Sequence, residues 1–165
     1  MELKINNITM YYGGKLILDD INAHIKNKEA IAIIGPSGAG KSTLLRLLSK
    51  IEEPDSGTIC VNDNHLSEVD ATEYYKKVGF VFQAHTLFPH LSIQRNITLV
   101  LEQVHKIPIK EANEIAINLL TNFELADHMH KKASQLSGGQ SQRVSIERAL
   151  AISPEVLFLD EQQVH

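Results

Sequence analysis

Gly35-Pro36-Ser37-Gly38-Ala39-Gly40-Lys41-Ser42 fits the spacing G-x-x-x-x-G-K-[ST], which is chemistry for holding a polyphosphate. Glycines let successive backbone N–H groups converge on phosphate oxygens with no side chain in the way. The lysine then reaches the β- and γ-phosphates, the serine hydroxyl binds Mg²⁺, and the N-terminus of the following helix adds partial positive charge. A second candidate is Val156-Leu157-Phe158-Leu159, an apolar run that delivers Asp160 at its C-terminal end, where ligands meet an open α/β sheet. Asp160 there suits Mg²⁺, and Glu161 suits a general base for an attacking water; the bland alternative is a strand that ends in two solvated acids. A third, Leu136-Ser137-Gly138-Gly139-Gln140, has the S-x-x-Q spacing of a capping box. Its bare glycines lower helix propensity, which makes sense where an anion must touch the backbone N–H groups. On composition alone, a plain helix cap is the simpler reading.

These residues need elements to position them, and hydrophobic period predicts those elements. Leu3, Ile5, Ile8, Met10 and Tyr12 alternate before Gly13-Gly14, as do Ile21, Ala23 and Ile25 before Asn27-Lys28, which predicts an antiparallel strand pair. Residues 30 to 34 are apolar throughout, which predicts a strand buried on both faces and feeding Gly35. Leu44, Leu45, Leu47 and Leu48 predict a helix after the loop, Thr58 to Val61 a short strand, and Val78 to Phe82 a buried strand ending at Gln83. Ile93, Ile97, Val100, Leu101 and Val104 mark one amphipathic helix, and Ala112, Ile115, Ala116, Leu119 and Phe123 a second beyond Ile107-Pro108. Residues of about 85 to 135 thus read as a helical insertion, with a further helix from Ser137.

Bulk composition narrows the field. The 165 residues, 43% hydrophobic and 22% charged, suit one globular domain and exclude coiled coil, collagen-like repeats and disorder. Sixteen basic against twenty acidic residues, net −4, provide no field for nucleic acid. The longest apolar run, Ala30 to Ile34, is too short to cross a bilayer, and Met1 to Met10 is too polar for a signal peptide; a soluble, cytoplasmic chain is expected. The single cysteine, Cys60, has no disulfide partner and reads as a small apolar residue. His128-x-His130, His85 and His90 lack carboxylate or thiol partners at ligand spacing and read as solvated. So does the pair Lys131-Lys132.

Gly35 to Thr43, Gln83, Leu136 to Gln140 and Val156 to Glu161, in that order, resemble the ATP-binding subunits of ABC transporters, and the resemblance spans essentially the whole chain. It implies an α/β fold with a P-loop NTPase (RecA-like) core of mostly parallel sheet, an N-terminal antiparallel portion and a helical insertion, forming one domain over 1–165. It implies nucleotide contacts from Tyr12, stacked on adenine, and from Gly35, Pro36, Ser37, Gly38, Ala39, Gly40, Lys41, Ser42 and Thr43; the alternative for Tyr12 is an ordinary strand residue. It implies Mg²⁺ on Ser42, Gln83 and Asp160, with catalysis by Lys41, Gln83 and Glu161. Ser137, Gly138, Gly139 and Gln140 would contact the γ-phosphate held by a partner subunit, so that a homodimer sandwiches two ATP molecules. Transmembrane permease subunits are the other implied partners, which places the chain peripherally on the cytoplasmic face of the membrane, with no nucleic acid involved. Phe88-Pro89-His90-Leu91 and the run from Gln135 through Gln142-Arg143-Val144 are similar to importers of polar amino acids.

The chain departs from that family after Glu161. The family continues Pro-Thr-Ser-Ala-Leu-Asp and then a strand ending in a switch histidine, whereas here Gln162-Gln163-Val164-His165 follow, and His165 is too close to Glu161 for that role. The C-terminal part of the usual domain is therefore expected to be missing, through truncation or as a fragment. Either a gap opens between the phosphate-loop strand and the Asp160 strand, or the two pair directly and misplace Asp160. Ser141, Ser145 and Glu147 also depart from the family, with Arg143 and Glu147 expected as a weak surface pair. The expected function is ATP hydrolysis that powers solute import. The alternative is a module that binds ATP without turnover; a soluble phosphotransferase leaves Gln83 and Ser137 to Gln140 unexplained.

Overall fold

The computed structural model describes residues 1–62, 64–84 and 86–160, and the chain divides into two compact units, Met1–Tyr75 and Lys76–His165. Among the described residues, no helix is long and apolar enough to cross a membrane.

In the first unit β1 (Leu3–Tyr12) pairs antiparallel with β2 (Lys15–Ile25) on one edge and β3 (Ser56–Val61) on the other, and β4 (Asn64–His65) completes the order β2-β1-β3-β4. Side chains of a strand alternate between faces, so a one-residue slip exposes every apolar side chain beyond it. Leu3, Ile5, Ile8 and Met10 are nevertheless all buried, because the ladder to β2 shifts register between Ile5 and Ile8. Asn7 takes the extra residue at φ 50°, a left-handed conformation that asparagine tolerates better than most. Its backbone N–H donates to Asn22 Oδ1 at 2.8 Å and its side-chain amide to Asp20 Oδ1 at 2.6 Å. α1 (Lys41–Leu48) buries Thr43, Leu47 and Leu48, and α2 (Ala71–Tyr75) is tied to its C-terminal end. The Tyr74 hydroxyl donates to the Leu48 carbonyl at 2.8 Å, and that of Tyr75 donates to the Lys50 carbonyl at 2.6 Å.

The strand expected over residues 30–34 does not form. Those residues make no ladder with any described strand, and Ile34 is 81% exposed. An apolar run favours burial, but a strand also needs neighbours for its backbone N–H and C=O groups, and no described strand provides them.

In the second unit β5 (Val78–Val81) and β6 (Val156–Leu159) form a parallel pair in register from Val78–Val156 to Val81–Leu159. Parallel strands require a crossover, and here it carries α3 (Ile93–Gln103), α4 (Ile109–Asn122) and α5 (Gly138–Leu150). Ile93, Ile97, Leu101, Ala112, Ala116, Leu120, Leu125, Val144 and Ala151 form its buried cluster; of the expected positions Ile93, Ile97, Leu101, Ala112 and Ala116 are buried, whereas Val104 is exposed and Leu120 takes the place of Leu119. Asn96, fully buried, closes the turn before α3. Its Oδ1 accepts from the Phe88 N–H at 2.7 Å, and its Nδ2 donates to the carbonyls of Phe88 and Ser92 at 3.1 and 3.0 Å.

Glu147 is not the surface partner of Arg143 that its spacing suggests. It lies three residues after Val144 and four before Ala151, on the stripe that enters the helical cluster, and is fully buried. Neither carboxylate oxygen has a hydrogen-bond partner. Burial pushes its pKa up to about 7, offset only in part by the Arg143 charge. The folded chain therefore keeps a proton that the unfolded chain releases near pH 4.5. Its stabilising contribution is complete below that pH and is lost as pH rises through about 7. Thermal melts of wild type and Glu147→Gln from pH 4.5 to 8 should diverge by up to about 3 kcal/mol, wild type losing stability with rising pH relative to the variant. Parallel curves would show that Glu147 does not titrate in this range.

Candidate functional site

In the first unit the glycine-rich segment turns at Pro36, whose carbonyl accepts the Ala39 N–H at 3.2 Å, and enters α1 through Gly40. Gly40 is left-handed at φ 84°, and a Cβ there would lie 2.6 Å from Leu18 Cδ2 and 3.2 Å from the Ile17 carbonyl. Only glycine meets both conditions. α1 starts without a side-chain cap and without an acidic residue in its first turn, so its positive end is not already occupied by a carboxylate. Lys41 folds back over the loop, its Nζ donating to the carbonyls of Gly35 and Pro36 at 2.7 and 2.8 Å. Ser37, Gly38 and Ala39 are exposed, Ser42 is half-buried and Thr43 is buried. A strongly charged polyphosphate suits this geometry, because it offers the ammonium a better acceptor than a neutral carbonyl.

Tyr12 ends β1 and is 39% exposed. Its hydroxyl donates to Glu52 Oε2, and the other oxygen of Glu52 accepts from Arg46 Nη1 at 3.4 Å. Burial first, then the adjoining Glu52 carboxylate, pushes the phenol above its ordinary value. Sequence reading missed Glu52 and Arg46. Forty positions separate Tyr12 from Glu52, and no local period connects them.

In the second unit Ser137 and Gln140 form the capping box that their spacing predicts. Ser137 Oγ accepts from the Gln140 N–H at 3.3 Å, and Gln140 Oε1 accepts from the Ser137 N–H at 3.0 Å. Gly138 and Gly139 open α5 in exposed positions, and a Cβ on either would meet nothing within 4 Å. Nothing in the surrounding fold calls for glycine there. Gln83 is exposed two residues after β5. Asp160 is 7% exposed directly after β6, and its N–H extends the ladder to the Val81 carbonyl at 2.9 Å. Glu161, His85 and His165 lie outside the described residues.

A family profile described as ABC transporter matches residues 18–163. The sulfate/thiosulfate import ATP-binding protein CysA of Synechocystis sp. is 44% identical over 161 residues, which cover 98% of this chain and 44% of that protein. The general L-amino acid transport ATP-binding protein AapP of Rhizobium johnstonii is 41% identical, over 96% of this chain and 63% of its own length. The chain thus spans about half to two thirds of these relatives. Among solved structures, the dimeric post-hydrolysis state of the ATP-binding cassette MJ0796, bound to ADP and Pi, is 34% identical with a TM-score of 0.84, over 95% of this chain and 72% of that one.

Gly38 and Gly40 are both left-handed, at φ 80° and 84°, but only Gly40 is crowded. Gly38→Ala should cost about 1 kcal/mol in a thermal melt, the price of the left-handed conformation alone. Gly40→Ala should cost distinctly more, because Leu18 must also move. Equal losses would contradict the crowding at Leu18.

Proposed function

Because the chain belongs to the ABC transporter family, we propose that it is the ATP-binding part of an importer and that ATP hydrolysis in it powers uptake of polar amino acids through a membrane permease. The observation that carries the reading is the start of α5. A capping box already satisfies that helix end, yet two exposed glycines that nothing in the fold requires follow it. Bare backbone N–H groups at an exposed helix N-terminus suit a phosphate brought from outside, in this case the ATP of a partner copy. The family likeness to a dimeric cassette agrees with that arrangement.

The roles follow the resemblance, for a domain over 1–165 with its helical part at about 85–135. The N–H groups of Gly35 to Thr43 cradle the phosphates and Tyr12 stacks on the base. Lys41 exchanges its two carbonyl acceptors for phosphate oxygens and neutralises charge that builds on them. Ser42, Gln83 and Asp160 would hold Mg²⁺, which when bound neutralises charge on the β- and γ-phosphates. Gln83 also orients the attacking water, and Glu161 accepts its proton. Polar amino acids are preferred over sulfate on the wording around Phe88 to Leu91 and Gln135 to Val144, although relatives bearing both import names are similar. The chain works on the cytoplasmic face of the membrane, docked on its permease. A second reading, ATP binding without turnover, draws support from residues 30–34, which mount the phosphate loop without any ladder among the described strands.

Saturating Mg-ATP, at about 100 times its dissociation constant, should raise the melting temperature by about 5 to 10 °C in wild type and not in Lys41→Ala. No shift in wild type would sink the nucleotide reading, and a shift without phosphate release would select the second. Gly138→Ala should behave oppositely in two assays. The added methyl favours the helix by up to about 1 kcal/mol, so the melt should rise, while ATP-dependent dimerisation, followed by light scattering, should disappear. Dimerisation that survives the substitution would remove the partner-phosphate role.

A further inference from the structure

Stacking on a base orders the Tyr12 ring in one orientation, and the first unit contains a device that fixes it beforehand. The tyrosine is the last residue of β1, half out of the protein, with a hydroxyl that would ordinarily be solvated. Here the hydroxyl is bonded to Glu52 Oε2, and Glu52 is in turn held through Oε1 by Arg46. Arg46 lies on α1, three residues beyond Thr43 on the helix that begins with Lys41. Glu52 is fixed from its other side as well. Its N–H donates to the Arg46 carbonyl at 3.3 Å; three residues on, Asp55 Oδ2 accepts the Tyr11 N–H at 2.7 Å and the Asp55 backbone N–H donates to the Thr9 carbonyl at 3.1 Å. The end of β1, the segment 52–55 and the phosphate-loop helix are thereby tied together at the tyrosine.

We propose that Glu52, anchored by Arg46, is a positioning residue for nucleotide binding: it latches the Tyr12 hydroxyl so that the ring is already oriented when the base arrives. The proposal rests on the reading that Tyr12 stacks on the base. A free tyrosine rotates about two bonds and must be ordered on binding, whereas a latched one has lost that freedom beforehand. The hydroxyl is taken up by Glu52, with the Thr43 and Arg46 side chains also bonded to it. The contact with the base is therefore made through the ring face, and removing Glu52 alone leaves Thr43 and the phosphate loop in place.

Calorimetric titration with Mg-ATP and with magnesium tripolyphosphate separates the two halves of the ligand. Glu52→Ala and Tyr12→Phe should each weaken ATP about two- to tenfold, the cost of ordering one aromatic side chain. Both should bind tripolyphosphate as wild type does, which also shows that the loop is intact. Together they should weaken ATP no more than either alone, and Glu52→Gln, whose amide oxygen still accepts the hydroxyl, should retain most of the wild-type affinity. Unchanged ATP affinity in Glu52→Ala, or equal losses for both ligands, overturns the latch. Tyr12→Ala tells that failure from one of the underlying reading. If it leaves the ratio of ATP to tripolyphosphate affinity untouched, the tyrosine does not stack on the base at all; if it lowers the ratio while Glu52→Ala does not, only the latch falls.

Discussion

The first unit depends on β1, a ten-residue strand hydrogen-bonded to β2 on one edge and to β3 on the other. Two ladders must fit one buried face over ten residues, and Asn7 absorbs the residue that carries the buried set on from Ile5 to Ile8. Two further shifts, between Ile8 and Met10 and between Met10 and Tyr11, complete the fit to β2. Ile8 and Met10 stay inside, the strand ends with Tyr11 and Tyr12 facing out, and β2 returns with Leu18 inside. Leu18 then sets the limit on what can stand at Gly40. The conformation of the phosphate loop is thus decided partly by a strand pair that comes before it in the chain.

Features written in local spacing were legible in the sequence. The heptad-like stripes of α3 and α4, the Ser137–Gln140 box, the β1–β2 hairpin and the phosphate-loop pattern all come from residues within a turn or a hairpin of one another. Features set by distant neighbours were not. Residues 30–34 have the composition of a buried strand, but composition does not supply a hydrogen-bonding partner. Glu147 has the i, i+4 spacing of a surface pair with Arg143, but its helical phase, set by Val144 and Ala151, puts it on the inner stripe. The Tyr12–Glu52–Arg46 chain joins residues 40 positions apart and has no signature short of the fold itself.

α5 keeps two different demands at two places along its length. Its first turn is capped but left bare, with no side chain on Gly138 or Gly139 and open space around both. Two turns later the same helix carries a buried acid into an apolar cluster with no partner for either oxygen. The first choice lowers helix propensity and the second makes the packing sensitive to proton concentration. Neither strengthens the helix on its own account. What secures α5 is the apolar stripe of Val144 and Ala151 against the α3 and α4 residues of the cluster.

The unladdered segment has a practical consequence for handling the protein. Ala30-Ile31-Ala32-Ile33-Ile34 is free of charge and proline, rich in β-branched side chains and partly exposed along its length. Those are the properties of a strand that zips onto its own kind, so crowding many copies in a concentrated solution favours sheet growth from this stretch over growth from any laddered strand. Ala32 is exposed, and a lysine there would act as a gatekeeper at little cost to the interior.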